Sequence, residues 1–146
     1  MRALVLTILS GIAAVWMTAS AAWAAGEMSA EEARAAALAG KVTLVDIRTP
    51  EEWENTGVPD VAHLLNMHED GFASRLLALY EAHPDRPMAV ICATGARSTY
   101  VTTALEQRGL TRLLNVREGM MGSKHGPGWL RRSLPIRKAG TPMVTN

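Results

Sequence analysis

The sequence predicts an α/β domain with a mainly parallel sheet covered by helices on both faces. Three observations carry that prediction. Short apolar runs recur at Val42–Ile47, Met88–Ile91 and Leu113–Val116, as strands buried on both faces require. Segments with helical spacing or capping signals separate them, which implies right-handed crossovers between parallel neighbours. The 146 residues amount to one ordinary domain.

Each element has a local reason. Ser29-Ala30-Glu31-Glu32 has the form of a capping box, and the alanine-rich helix behind it stops near Gly40. Val42–Ile47 reads as a buried strand, and Pro50 suits the first turn of a brief helix through Trp53. Val61–Leu65 reads as a second, short strand. Gly71–Ala82 carries Phe72, Leu76, Leu77 and Leu79 as a helical apolar face and ends before Pro84. Met88–Ile91 is a buried strand leading into Cys92, Ser98–Arg108 is a helix closed by Gly109, and Leu113–Val116 is the last strand. Gly119–Pro135 is punctuated by Gly and Pro and reads as a loop with one helical turn around Trp129.

Composition narrows the function. Apolar residues make up 48% of the chain and charged residues 20%, as in a globular protein. Fifteen Lys and Arg against fourteen Asp and Glu leave no basic surplus for a nucleic-acid backbone. A single Cys excludes an internal disulfide framework and a multi-Cys metal or iron–sulfur site. His63, His68, His83 and His125 show no metal-ligand spacing, so neither a metal nor a cofactor is expected.

Residues 1–24 read as a secretory signal peptide: Arg2, an apolar stretch from Ala3 to Met17, and a small-residue exit at Ala22-Trp23-Ala24. Its removal leaves equal numbers of bases and acids and implies a periplasmic protein. The alternative is a retained anchor, the one circumstance in which a membrane becomes a partner.

The chemistry concentrates at Cys92-Ala93-Thr94-Gly95-Ala96-Arg97-Ser98, where a buried strand meets a helix. Ligands of open parallel sheets bind beyond the carboxyl ends of the strands. The following helix aims unpaired N–H groups and its positive dipole end at that point. A cysteine there is expected to have a stabilised thiolate and to act as a nucleophile. Gly95 lets the loop curl, Ala93 and Ala96 leave backbone N–H groups free to line a cradle, and Arg97 adds a cation. The bland alternative is a buried free Cys that only fills space.

This loop resembles the active-site loop of the rhodanese (sulfurtransferase) family, Cys-x-x-Gly-x-Arg-[Ser/Thr]. Val45-Asp46-Ile47-Arg48-Thr49-Pro50-Glu51-Glu52-Trp53 is similar to that family's opening strand and turn, and Gly119-Met120 with Trp129 and Pro135 to its closing segment. The resemblance spans residues 29–136, leaving 137–146 as a C-terminal tail. It implies a five-stranded parallel sheet and a persulfide carried on Cys92. The chain departs from the family pattern at Gly57-Val58-Pro59, where a Gly-His-Ile is common, at Glu118, in place of a glycine, and at Ser133.

The expected reaction moves a sulfane sulfur from a small sulfur anion such as thiosulfate, or from a persulfide donor, to cyanide or a thiol. Cys92 is the nucleophile and residues 93–98 bind the substrate. Asp46 and Arg48 brace the loop, and Arg97 shapes it, with Asp46 as a candidate ion-pair partner. Lys124, His125, Arg131 and Arg132 lie in an excursion that either adds charge near the mouth or is simply solvated. Two other functions stay open: a non-catalytic carrier or docking module on the same fold, and a phosphatase or arsenate reductase. Cys92 to Arg97 is one residue shorter than the Cys-x5-Arg loop that encloses a tetrahedral oxyanion.

Overall fold

Ser29 caps the start of the first helix as its sequence predicts. Its hydroxyl accepts from the Glu32 N–H, and the Glu32 carboxylate accepts from the Ser29 N–H in return. Such a cap is worth about 1 kcal/mol. The structure is a computed structural model and describes residues 26–145. Residues 1–24, expected from the sequence to be a signal peptide, lie outside the described residues.

In chain order the elements are α1 (Ala30–Leu38), β1 (Thr43–Asp46), α2 (Pro50–Thr56), β2 (Val58–Pro59), β3 (His63–Leu64), α3 (Phe72–Ala82), β4 (Met88–Ile91), α4 (Ala96–Glu106), β5 (Leu113–Asn115), α5 (Gly128–Arg131) and β6 (Ile136–Arg137). The main sheet runs β3-β1-β4-β5 with every pairing parallel. Alternation along its strands feeds two cores. Leu44, Ala89, Ile91 and Leu114 pack toward Ala30, Ala33 and Ala36 of α1. Val45, Met88, Val90 and Leu113 pack with Leu76 of α3 and Val101 of α4. The expected α/β architecture, with helices on both faces, is therefore present.

Several details differ from the sequence expectation. The sheet has four strands among the described residues, not five. The fifth position holds one parallel bridge, Glu27 to Asn115, with the Met28 N–H donating to Asn115 at 3.1 Å. Toward the C-terminus the bridge goes no further, because Ser29 already caps α1. Leu113–Val116 is not the last strand: β6 pairs antiparallel with β2, matching Ile136 to Pro59 and Arg137 to Val58. These two-residue strands have no apolar run to announce them, and β6 crosses the boundary expected at residue 136. Val61–Leu65 shrinks to His63–Leu64. The second helix runs on to Thr56, past Trp53, and α4 starts two residues earlier than expected, at Ala96. On α3, Leu77 is exposed while Tyr80 joins Phe72, Leu76 and Leu79 against the core.

Candidate active site

Cys92 directly follows β4, at the carboxyl end of a central strand, and its thiol faces the α3–α4 side. Gly95, at φ +91°, turns the chain and serves as the N-cap of α4. The turn directs two backbone donors onto the sulfur: the Gly95 N–H at 3.2 Å and the Ser98 N–H at 3.4 Å. The thiol in turn reaches the Ser98 hydroxyl at 3.5 Å. That hydroxyl donates to the Gly95 carbonyl at 3.1 Å, so Ser98 also fixes the curl of the loop. Thr99 ties the same carbonyl at 2.7 Å. Cys92 is only 1% exposed, whereas Thr94 and Ala96 face solvent. The sulfur thus lies at the bottom of a small backbone-lined cradle, where N–H donors and the helix start favour negative charge.

A second loop clamps this cradle from outside. The Met120 and Met121 N–H groups donate to the Cys92 and Ala93 carbonyls at 2.9 and 2.8 Å. Glycine is required on both sides of the contact. A Cβ on Gly95 would overlap the Arg117 carbonyl oxygen, and a Cβ on Gly119 would lie 2.5 Å from the Ala93 carbonyl oxygen.

Glu118 holds the clamp, a role its sequence position did not reveal. It is 2% exposed, and accepts from the Ala30 N–H at 2.6 Å, the Gly128 N–H at 2.8 Å and Arg132 Nε at 3.0 Å. Burial opposes its charge, but these donors outweigh burial and hold its carboxyl below the ordinary range. The residue that replaces a family glycine therefore joins α1, the clamp loop and α5.

Arg97 does not pair with Asp46, contrary to the sequence expectation. Its Nη1 and Nη2 donate to the two carboxylate oxygens of Glu52, at 2.8 and 2.5 Å. Arg97 holds the Glu52 carboxyl at about 2, against burial and with help from the Thr49 N–H and hydroxyl. Asp46 is already engaged. Arg48 Nη2 meets it at 2.7 Å, both side chains are almost fully buried, and Arg48 continues to the Gly57 carbonyl and the Thr56 hydroxyl. That pair braces the end of β1 against the end of α2. Sequence reasoning missed Glu52 as a site residue. Thr49-Pro50-Glu51-Glu52 is legible as a capping box, which the structure contains, but nothing local points from Glu52 to a residue 45 positions away.

The excursion keeps two cations, Lys124 and Arg131, exposed and without a carboxylate partner among the described residues. Lys124 and His125 are exposed on a turn that Ser123 ties to the Arg117 carbonyl at 3.0 Å. Arg117 pairs with Glu27 at 2.6 Å and Arg132 with Glu118. With Arg97 on Glu52, the three arginines nearest the cradle, Arg97, Arg117 and Arg132, each have a carboxylate.

Comparison with known proteins agrees with this geometry. The sequence pattern of the rhodanese-like domain matches residues 29–125. The chain is 37% identical over 95 residues to a sulfurtransferase of Allochromatium vinosum, covering 65% of this chain and 78% of that protein. It is 28% identical over 101 residues to an uncharacterized protein of Rickettsia prowazekii, covering 63% and 80% respectively. Among solved structures, the polysulfide-sulfur transferase homodimer of Wolinella succinogenes superposes with a TM-score of 0.59 at 28% identity, covering 78% of this chain and 79% of that one.

Proposed function

The chain belongs to the rhodanese-like domain family, and we propose that it works as a periplasmic sulfurtransferase carrying sulfane sulfur as a persulfide on Cys92. The named relatives support sulfur transfer as its general chemistry. The observation that carries the finer reading is the pair of N–H groups, from Gly95 and Ser98, donating to Cys92 Sγ at the head of α4.

The Cys92 thiolate attacks the outer sulfur of thiosulfate. A Cys92 S–S bond forms, the S–S bond of thiosulfate breaks, and sulfite leaves with the electron pair. The persulfide keeps its negative charge among preorganised donors. Cyanide then attacks the outer sulfur, thiocyanate departs, and the thiolate is restored. A thiol acceptor takes the same sulfur as its own persulfide.

The loop accommodates one sulfur better than an enclosed tetrahedral oxyanion. It is short, Cys92 is nearly covered, and Arg97 is turned onto Glu52 rather than into the cradle. This disfavours the phosphatase reading. The same ion pair leaves the loop with little net charge, so thiosulfate should bind weakly, and a neutral or protein-borne persulfide is the better donor.

Intact mass after thiosulfate treatment tests the proposal. One sulfur atom, about 32 Da, should appear on Cys92 and be released by cyanide as thiocyanate. Cys92→Ser should abolish turnover, and Arg97→Ala should lower it by a smaller factor. A folded protein that gains no sulfur from thiosulfate, polysulfide or an alkyl persulfide would overturn the enzyme reading in favour of a carrier or docking module.

A further inference from the structure

A cavity of about 270 Å³ opens at the other end of the sheet from Cys92. It lies where β1 and β4 begin, at the Thr43–Met88 pairing, whereas Cys92 follows the end of β4. A four-residue strand separates the two ends by about 13 Å. No step of the proposed reaction uses this cavity.

Its lining is of two kinds. Leu38, Val42 and Val61 are apolar, whereas His63, His83 and Arg86 are cationic or able to become so. The two imidazoles stand 6.5 Å apart between ring centres, tilted by 47°. Arg86 lines the cavity, and its Nε is buried with no hydrogen-bond partner among the described residues, so its guanidinium is not saturated by the protein.

The surrounding charges select the ligand. Arg137 on β6 adds positive potential at His63, as does His83. Nearby carboxylates are largely committed: Asp60 to Arg34 at 2.7 Å, Asp46 to Arg48, and the mostly exposed Asp85 to Arg86 at 3.4 Å. The α1 segment and the tail segment Met143–Thr145 contribute only uncharged residues to the lining. Such a field repels a metal cation and attracts an anion. The apolar part of the wall suits a short hydrocarbon body, and the volume is just below the range usual for small-molecule pockets, about 300 Å³ upward.

We propose that the cavity edged by His63, His83 and Arg86 is a binding site for a small organic anion, a carboxylate on a short apolar chain. The head group meets Arg86 and the imidazoles, and the chain lies along Leu38, Val42 and Val61. Burial, then the neighbouring His83 and Arg137, lower the His63 pKa, so its neutral form prevails in the empty site. A bound anion favours the imidazolium. Binding therefore takes up a proton and tightens as pH falls from 8 to 6.

Hexanoate titrated into the full-length protein, followed through the histidine imidazole NMR signals, tests this. Saturable shifts are expected at His63 and His83 but not at the exposed His68 and His125. The His63 midpoint should rise on saturation. Arg86→Gln should weaken binding at least tenfold and leave thiocyanate production unchanged. Hexanol, the uncharged analogue, should bind at least tenfold more weakly than hexanoate. His83→Asn provides a second variant if Arg86→Gln does not fold. No saturable shift, equal responses to hexanol and hexanoate, or undiminished binding in the folded variants would overturn the proposal.

Discussion

Arg97 lays its guanidinium across both oxygens of Glu52, joining the first turn of α4 to the first turn of α2 across 45 residues of sequence. One carboxylate thereby completes a capping box with Thr49 and neutralises the only formal cation of the Cys92 loop. The pair determines both the shape and the charge of the loop. Its side chains are about 30% exposed, so its contribution to stability is modest, about 1 kcal/mol.

Removing the carboxylate charge should change substrate binding more than chemistry. In Glu52→Gln the Arg97 cation is no longer balanced, and a dianionic donor gains attraction. The expected result is a thiosulfate KM lowered about threefold, or about 0.7 kcal/mol, with a smaller change in kcat. Salt should erase the gain. Steady-state kinetics at two ionic strengths check both the direction and its electrostatic origin.

The same carboxylate makes stability depend on acid. Arg97 holds Glu52 at about 2, against an ordinary value of 4.5. A depressed carboxyl contributes its stabilisation fully above the ordinary value and loses it as pH falls through the folded value. Wild type should therefore exceed Glu52→Gln in stability above pH 4.5, and the difference should shrink toward zero between 4.5 and about 2. Urea unfolding of both proteins at a series of pH values measures that convergence.

The contact between the cradle and its clamp should tolerate no side chain. Gly95→Ala places a Cβ against the Arg117 carbonyl at a φ of +91°, and Gly119→Ala places one against Ala93 at a φ of +67°. Left-handed strain and backbone overlap together should cost at least about 2 kcal/mol in each case. Gly109→Ala is a control with a similar φ of +89° but open space around its Cβ, and should cost about 1 kcal/mol. Chemical denaturation of the three variants separates strain from overlap.

The N-terminal segment yields a prediction of its own. Arg2, the apolar stretch and the Ala22-Trp23-Ala24 exit should direct cleavage near Ala24 or Ala25. N-terminal sequencing of protein recovered from the envelope of an expressing bacterium should show a start there. A start at Met1 with membrane retention would mean an anchor instead.

What the sequence by itself determined is everything built from neighbours along the chain. Ser29 with Glu32 starts α1 through contacts three residues apart, and the Met88–Ile91 run leading into Cys92 puts the thiol at a strand end facing a helix start. Gly95 marks the turn between them for the same local reason. The tertiary structure alone decided which distant groups meet. Glu52 rather than Asp46 receives Arg97, because Arg48 already occupies Asp46 from two residues away. Glu118 becomes a buried junction because α1, Gly128 and Arg132 converge on it. Ile136–Arg137 becomes a strand because Val58–Pro59 presents an edge to it. Periodicity and capping report the covalent neighbourhood of a residue, whereas an ion pair or a two-residue strand depends on what packing brings alongside.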